Sequence, residues 1–235
     1  IGGVLETSND HQSVLSELEA AIGGRIAQVG GKWYIWAPND DLTPYSSIGE
    51  NDLLREVGVD YTPSGPIEDL YNVARGRFID PDVLYQASEY PDVREETSIV
   101  EDGRERIMYQ DFSLIQDVSI AQRVARMLIR RSRFSATWRF AMGPKGLLFK
   151  PFDVTTLNIK ETNNSDVTVR IINMEYTQEG VVSMECIEED SSIYDTSATL
   201  GTPITQLDPS AWRPETAIDV TNFAVAETTI IWSSG

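Results

Sequence analysis

The chain has 235 residues, 41% of them hydrophobic and 24% charged, which is the composition of a folded globular protein and argues against disorder over the whole length. Its 37 acidic residues outnumber 19 basic ones, and the formal net charge of -18 disfavours a protein that reads DNA sequence, because such a surface repels phosphate. A single histidine, His11, excludes sites that need two, and a single cysteine, Cys186, excludes an internal disulfide.

The first predicted element is an amphipathic helix over residues 9–22. Asn9 or Asp10 can cap its start, because a short polar side chain accepts the free N–H groups of the first turn. A hairpin is predicted over residues 25–36, where two alternating segments flank a Gly-Gly pair that suits a tight turn.

The middle of the chain has shorter and weaker patterns. They predict a short helix at residues 49–54 and three strands, at 55–62, 68–79 and 104–112. They also predict an acidic loop at 80–103, with a second short helix near 95–101. A clearer helix is predicted over residues 117–131, because apolar side chains recur on one face and Asp117 can cap its start. Arginines gather at the end of this helix, where they complement its dipole.

After this helix the apolar pattern changes to a period of two. Five strands are predicted, at residues 134–142, 147–150, 153–160, 166–176 and 180–188, and short strands at this spacing indicate a small barrel or sandwich. The fold class is therefore predicted as α+β and β-rich, with an α+β domain followed by a small β-barrel or sandwich. The expected divisions are residues 1–115, residues 116–195, and a linker with the start of a further β-domain at 196–235.

No sequence motif of a catalytic or metal site is present, since HExxH, CxxC, Walker A and GxSxG are all absent. Paired carboxylates are the hardest class to exclude, because 37 acidic residues form pairs by chance. The acidic runs at 80–82 and 188–190 are interpreted as solvated turn residues, and runs 39–41 and 80–82 lack the spacing of a known calcium loop. We therefore predict no catalytic residue, no cofactor and no metal. No apolar run reaches the length of a membrane span, and no signal peptide is visible.

Arginines and aromatic residues are the candidates for contacts between subunits, because both are enriched at interface centres. The arginines at 123–133 are expected to form salt bridges within the chain or between subunits. Side chains alternate between the two faces of a strand, and both faces of the strand predicted at residues 32–36 carry apolar residues. This favours burial or a subunit interface over an exposed carbohydrate-binding site. Cys186 lies in an apolar-alternating run, which predicts a buried and inert thiol. The predicted interface residues are Trp33, Trp36, Arg123, Arg126, Trp138 and Phe152.

The order of these segments resembles the central tail-tip family of long-tailed bacteriophages, the host-specificity (protein J-like) proteins. The similar segments cover roughly residues 9–195 and are, in order, GGRIAQVGGKWYIWAP, LYNVARGRFIDPD, YQDFSLIQDVSIAQRVARMLIRRSR, GPKGLLFKPFDVTTL and VVSMECIEEDSSIYD. Phe152 departs from the family, which usually has glycine at this position of the turn. The final stretch, VTNFAVAETTIIWSSG, resembles the start of a fibronectin type III module.

This resemblance implies a structural virion protein rather than an enzyme. It implies a ring-forming hub, usually a trimer, that closes the tail tube at the tail tip and opens to release the genome. Its partners would be the distal tail or tube protein, the tape-measure protein, and tail fibres or receptor-binding proteins, in a virion assembled in the host cytoplasm. Neither sequence-specific nucleic-acid binding nor a membrane span is expected, and the acidic charge fits a lumen in which DNA slides. Because the chain begins at Ile1 rather than Met and ends abruptly, we expect a fragment of a longer polypeptide.

Two other classes of function stay open. A tail-associated cell-wall hydrolase could use two of the many carboxylates, and clearing in a peptidoglycan zymogram would support it. A receptor- or carbohydrate-binding module could use the aromatic residues, and a glycan- or cell-binding assay would test it.

Overall fold

The computed structural model describes residue 2 and residues 10–39, 41–159, 164–177 and 180–195, and the structural statements below concern these residues. Its helices are α1 (His11–Ile22), α2 (Glu96–Asp102) and α3 (Val118–Arg133). Its strands are β1 (Arg25–Val29), β2 (Lys32–Trp36), β3 (Ser46–Gly49), β4 (Val59–Thr62), β5 (Val73–Arg75), β6 (Arg77–Asp80), β7 (Gln86–Glu89), β8 (Val93–Arg94), β9 (Ile107–Tyr109), β10 (Thr137–Met142), β11 (Val154–Ile159), β12 (Asn164–Tyr176) and β13 (Val182–Glu188). This mixture confirms the predicted α+β, β-rich class.

Helix α1 and the hairpin β1–β2 form where the sequence predicts them. The helix starts at His11, and the Asp10 carboxylate makes no capping bond; instead the Ser13 hydroxyl donates to the Asp10 carbonyl at 2.7 Å. The connecting Gly30 and Gly31 have φ of 59° and 76°, values that glycine adopts without strain. The two-glycine turn therefore sets the antiparallel register of β1 and β2.

The largest sheet has six strands in the order β3-β11-β12-β13-β10-β4 and curls into a half-barrel. Neighbouring strands are antiparallel except β3, which lies parallel to β11 with Ser46 opposite Thr155. A register shift between Ile171 and Asn173 interrupts the pairing of the long strand β12 with β13, and such shifts bend a sheet. The predicted barrel-like part after α3 is thus present, and β3 is a strand that the sequence pattern did not predict.

Two smaller sheets form between residues 73 and 109, in the orders β8-β5-β9 and β6-β7. The predicted single strand at 68–79 is wrong, because β5 and β6 lie in different sheets on either side of Gly76. A Cβ atom added at Gly76 would lie 1.9 Å from the carbonyl oxygen of Gln110, so this close approach requires glycine. The predicted loop at 80–103 also contains two strands, β7 and β8, that the pattern did not predict, whereas the helix near 95–101 is confirmed as α2.

Helix α3 begins at its predicted cap. The Asp117 carboxylate accepts from the backbone N–H groups of Ser119 and Ile120 at 2.7 and 3.2 Å. The helix packs its apolar face into one hydrophobic core together with Phe78 and Phe112, and a second core lies within the six-stranded sheet. No described helix combines the length and the apolar character needed to cross a membrane.

The remaining differences lie around residue 146 and at the end of the chain. The predicted strand at 147–150 is wrong, because residues 147–148 belong to a 3-10 turn, Pro144–Leu148, in which Gly146 packs against Val182, and residues 149–150 lie in no strand. The predicted boundary between two domains, at residues 115 and 116, stays a prediction. Each hydrophobic core contains residues from before and after this boundary. The predicted linker and β-domain at 196–235 lie outside the described residues.

Candidate functional site

Trp36, on one face of β2, anchors the hairpin to the rest of the protein. The guanidinium carbons of Arg170 and Arg131 lie 4.4 and 5.2 Å from its ring centroid. The rings of Phe152 and Tyr194 lie 6.4 and 6.5 Å from it. Each contact of these kinds contributes about 0.5–2 kcal/mol. One side chain of β2 therefore joins the hairpin to α3, to β12 and to the segment after β13.

Glu189 holds the two arginines of this anchor. Its carboxylate accepts from Arg170 Nε at 3.1 Å and from Arg131 Nη2 and Nη1 at 3.0 and 3.2 Å, and it is also hydrogen-bonded to the Tyr194 hydroxyl. Because Glu189 is 3% exposed, its interpretation as a solvated turn residue was wrong. Burial and the bond to Glu189 raise the pKa of the Tyr194 phenol to about 12, against the opposing charge of Arg131. We call this set the hairpin anchor, which comprises Trp36, Arg131, Phe152, Arg170, Glu189 and Tyr194.

Two more arginines of α3 converge on Glu95, the residue before α2. Arg130 Nε donates to Glu95 Oε1 at 3.0 Å, and Arg126 Nε lies 3.4 Å from the same oxygen. Arg130 Nη1 also donates to the carbonyl oxygens of Ser192 and Asp195, at 2.8 and 3.0 Å. The expected salt bridges of the arginine-rich helix thus form within the chain, and they tie α3 to α2 and to the segment after β13.

Asp102, at the end of α2, is the third carboxylate that α3 binds. Arg133 contacts both of its oxygens, and Arg106 Nε lies 3.7 Å away. The hydrogen bonds from Arg133 hold the pKa of Asp102 below its ordinary value of 3.8, although burial opposes this shift. Asn72, which is fully buried, donates to Asp102 at 2.7 Å and accepts from the Arg106 backbone N–H at 2.6 Å. Sequence reasoning missed Asn72, because these partners lie 30 and 34 residues away along the chain.

Four of the six predicted interface residues are buried or half-buried within the chain. Trp36 and Phe152 belong to the hairpin anchor, and Arg126 is paired with Glu95. Trp138 is 1% exposed in the core of the six-stranded sheet, where it stacks on Tyr61 with ring centroids 5.1 Å apart. Their role in subunit contacts stays a prediction, and these side chains offer little surface to a second molecule.

The other two, Trp33 and Arg123, are exposed. Trp33 and Ile35 lie on the face of β2 opposite to Trp36, and their exposed fractions are 58% and 69%. The register places Gln28 opposite Trp33 and Ile26 opposite Ile35, on the same face. We call these four residues, Ile26, Gln28, Trp33 and Ile35, the hairpin face. One side of the hairpin is thus buried on its anchor and the other is an open apolar surface.

A second exposed apolar pair lies in the connection between β6 and β7. Leu84 and Tyr85 are 85% and 64% exposed, and their φ values of 54° and 58° are left-handed, which costs a non-glycine residue about 1–2 kcal/mol. The Asp80 carboxylate accepts from the Asp82 N–H, and the Asp80 carbonyl accepts from the Tyr85 N–H, both at 2.9 Å. Asp82 is exposed in the turn after β6, as interpreted, whereas Asp80 is the last residue of β6 and is half-buried. We call residues 80–85 the acidic tip.

Three acids are engaged by arginines within the chain. Glu95, Asp102 and Glu189 are each contacted by two arginine side chains, so these carboxylates are already paired. In the part of the chain that the structure describes, no three His, Cys, Asp or Glu side chains are grouped to bind a metal. Cys186 is buried, as predicted, and burial raises the pKa of its thiol, which disfavours the reactive thiolate.

Comparisons with known proteins identify a family for this chain. A family model described as "Putative phage tail protein" (Phage-tail_3) matches residues 10–174. Among solved structures, a chain in the virion of a native gene transfer agent particle is similar, with a TM-score of 0.66 and 16% identity, and the match covers 85% of this chain and 44% of that one. Comparison with curated proteins finds no match.

Two prophage tail proteins are also similar. The 43 kDa tail protein of prophage MuSo2 from Shewanella oneidensis has 13% identity and a TM-score of 0.46, over 85% of this chain and 56% of that one. A prophage tail protein from Listeria monocytogenes EGD-e has 10% identity and a TM-score of 0.44, over 77% of this chain and 53% of that one. The chain thus spans about half the length of the solved proteins that it matches.

The match to the family model includes most of the elements described above. It runs from the residue before α1 into β12, and so takes in the hairpin, both smaller sheets and α3. At 16% identity, the likeness to the virion chain shows a shared fold. The chain belongs to the Phage-tail_3 family of phage tail proteins.

Proposed function

We propose that this tail protein is part of the hub that closes the tail tube at the tail tip and couples host recognition to genome ejection. The observation that carries the proposal is a body fixed by internal arginine–carboxylate contacts that also holds large apolar side chains in solvent. Exposed apolar patches on folded proteins mark sites of protein contact. The fold shared with a chain of a virion particle supports a place in such an assembly.

We further propose the partners that the tail-tip resemblance implies. The chain assembles with copies of itself, as a trimer, and contacts the distal tail or tube protein, the tape-measure protein, and tail fibres or receptor-binding proteins. The net charge of -18 supports a place beside the path of DNA, because like charges keep the genome from binding to the wall. Function then resides in binding surfaces and in a change of arrangement on host contact.

Deleting the coding region of this chain in cells that produce the parent particle tests the proposal. A hub is required for tail assembly, so electron microscopy should show heads without complete tails, and the wild-type gene supplied in trans should restore them. Complete, tailed particles in the deletion strain would contradict the hub function.

A tail-associated hydrolase is the competing enzymatic function. The arginine contacts of Glu95, Asp102 and Glu189 support a non-enzymatic role, because they engage these carboxylates in ion pairs within the chain. In a peptidoglycan zymogram the purified chain should therefore leave the gel uncleared beside a lysozyme lane that clears. Clearing by the chain would support the hydrolase.

A receptor- or carbohydrate-binding module is favoured by one specific feature. A cleft of about 360 Å³ opens beside the hairpin anchor, and its lining includes Arg25, Trp36 and Arg131. Aromatic and arginine side chains are common in sugar and peptide sites. Glycan-array and host-cell binding by the purified chain, lost on Arg25→Ala, would support this function over the hub.

A further inference from the structure

We propose that the open edge of β2 binds an extended segment of a different chain as a third strand of the hairpin. The segment that fits this edge alternates apolar and acidic side chains. The inference rests on the proposed hub function for its setting, in which the second chain is another tail protein. It adds the mode of binding and the chemistry of the partner.

The backbone groups of Trp33 and Ile35 point away from the hairpin. Hydrogen-bonded and non-bonded pairs alternate along antiparallel strands, and a two-residue turn closes on a bonded pair, here Val29 and Lys32. Alternation from this pair directs the N–H and C=O groups of Trp33 and Ile35 to the outer edge of β2. None of these four groups forms a hydrogen bond with a described residue. They offer two donors and two acceptors at the spacing that an added strand needs.

The other edge of the hairpin, along β1, contacts α1. The Ile26 N–H donates to Glu19 Oε1 at 2.6 Å. Ile26 lies opposite Ile35 in the register, so this bond shows directly that the groups of this pair point outward. Because α1 occupies the β1 side, the edge along β2 is the one that an added strand can reach.

The side chains beside the open edge define the two faces of the added strand. Trp33 and Ile35 lie on one face and are both more than half exposed, and apolar residues are the usual cross-strand neighbours of such side chains. On the other face, Lys32 is exposed and forms no ion pair with a described residue. A carboxylate in the added strand can pair with Lys32, so the strand alternates apolar and acidic residues.

A second hairpin does not have this chemistry. Residues 24–38 contain Arg25 and Lys32 and no acidic residue, although the chain has a net charge of -18. Two such edges side by side would bring lysines together without a carboxylate, and lysine on an edge strand acts against self-pairing. The other described strands already lie in sheets of the chain itself. The added strand is therefore assigned to a different chain.

The hairpin is held in place for such an addition. Trp36, on the face opposite to Trp33, lies against the guanidinium groups of Arg131 and Arg170. Because β2 is already ordered, the addition of a strand requires little further loss of freedom from the acceptor. A two-stranded sheet is marginal by itself, so a third strand with an apolar face also stabilises the hairpin.

Amide hydrogen exchange tests the edge residue by residue. In the purified chain the Trp33 and Ile35 amides should exchange rapidly, whereas the Tyr34 amide, which pairs with Ala27 inside the hairpin, should be protected. In assembled particles, exchange at Trp33 and Ile35 should slow by at least roughly tenfold, because the added strand accepts from both N–H groups. Unchanged exchange in particles, or protection of both amides already in the purified chain, overturns the proposal.

A short capped peptide of alternating valine and glutamate serves as a partner of the stated chemistry. It should shift the NMR resonances of the Trp33 and Ile35 amides of the purified chain. A valine–lysine peptide of equal length should bind roughly tenfold more weakly because of Lys32, and the fully N-methylated valine–glutamate peptide should not bind. Absence of binding by the glutamate peptide, or equal binding by either control peptide, contradicts the strand addition.

A proline variant separates the edge from the fold. Ile35→Pro removes an N–H that the hairpin does not use, so the Tm of the purified chain should stay close to that of wild type. The variant should lose binding of the valine–glutamate peptide, whereas Ile35→Val, which keeps both the N–H and a branched apolar side chain, should retain it. Equal peptide binding by Ile35→Pro and Ile35→Val would show that the β2 edge is not the site.

The outcomes separate this strand addition from the hub function. If tails fail to assemble without the chain while the Trp33 and Ile35 amides stay unprotected in particles, the strand addition is wrong and the hub function stands. Normal tails without the chain contradict the hub function, and the peptide then still tests the edge in the purified chain. Protection of both amides by self-association of the purified chain would identify a second copy as the partner and overturn the proposal.

Discussion

Phe152 adopts a backbone conformation that suits glycine better than phenylalanine. Its φ is 72°, and the tail-tip family that the sequence resembles usually has glycine at this position. The side chain is 8% exposed and packs near Trp36, while the Phe152 carbonyl accepts from Arg170 Nη1 at 2.9 Å. The departure from the family therefore exchanges an unstrained turn for a buried contact within the hairpin anchor.

Replacing Phe152 should show this balance. Phe152→Ala loses the buried ring at a cost of about 3–5 kcal/mol and keeps the left-handed strain. Phe152→Gly loses the same ring but removes about 1–2 kcal/mol of strain. Chemical unfolding should thus find Phe152→Gly the more stable of the two, which reverses the usual order of alanine and glycine. An alanine variant that unfolds at higher denaturant concentration than the glycine variant would contradict the strain at this residue.

Glu189 shows why the hairpin anchor could not be found from sequence alone. It follows β13 in an acidic run that looks like a solvated turn, and its partners Arg131 and Arg170 are 58 and 19 residues away. The spacing of these residues along the chain does not predict such a contact. The aromatic members were predicted to be buried or at an interface, which is as far as alternation could lead.

Removing the charge of Glu189 should be strongly destabilising. Glu189→Gln leaves two buried guanidinium groups without their carboxylate, and breaking a buried pair of this kind costs about 3–5 kcal/mol. Glu188→Gln is the matched control, because burial already raises the pKa of Glu188 and its loss should change stability by less than about 1 kcal/mol. Equal free energies of unfolding for the two variants would contradict the account of the anchor.

Helix α3 connects the main elements through its arginines. The apolar face of α3 and its Asp117 cap were predicted from residue spacing. The hairpin was predicted from its Gly-Gly turn. The carboxylates that these arginines bind were not predicted, because Glu95 and Asp102 lie 35 and 31 residues along the chain from Arg130 and Arg133. The split of β5 from β6 at Gly76 was also missed, because the close approach of Gln110 depends on tertiary structure.

The contact between α2 and α3 should make stability depend on pH. The pKa of Asp102 is lowered in the folded chain, so its contribution is fully present above its ordinary value of 3.8. That contribution is lost as the pH falls through 3.8 and then through the folded pKa. The Tm of wild type should therefore exceed that of Asp102→Asn most at neutral pH.

Thermal melts from about pH 7 to about pH 3 measure this effect. The gap in Tm between wild type and Asp102→Asn should narrow toward the acid end of the range. Glu101→Gln, at an exposed neighbouring position, serves as the control and should give no such trend. A gap for Asp102→Asn that is the same at every pH would show that the ion pair with Arg133 contributes nothing.

The whole molecule combines a rigid interior with apolar surfaces that the described part of the chain leaves open. The described part of the chain has two hydrophobic cores, and arginine–carboxylate contacts fix the hairpin, α2 and α3 to each other. The resemblance of its segments, taken in order, to the tail-tip family was sufficient to predict a phage tail protein. The exposed apolar surfaces could be identified only from the structure, because alternation cannot tell which apolar face of a strand is buried.

A cryo-electron microscopy map of the particle tests the central claim most directly. The account predicts that several copies of this chain surround the tube axis at the tail tip. A map that places the chain as single copies on the outside of the tail, away from the axis and from each other, would contradict the hub function.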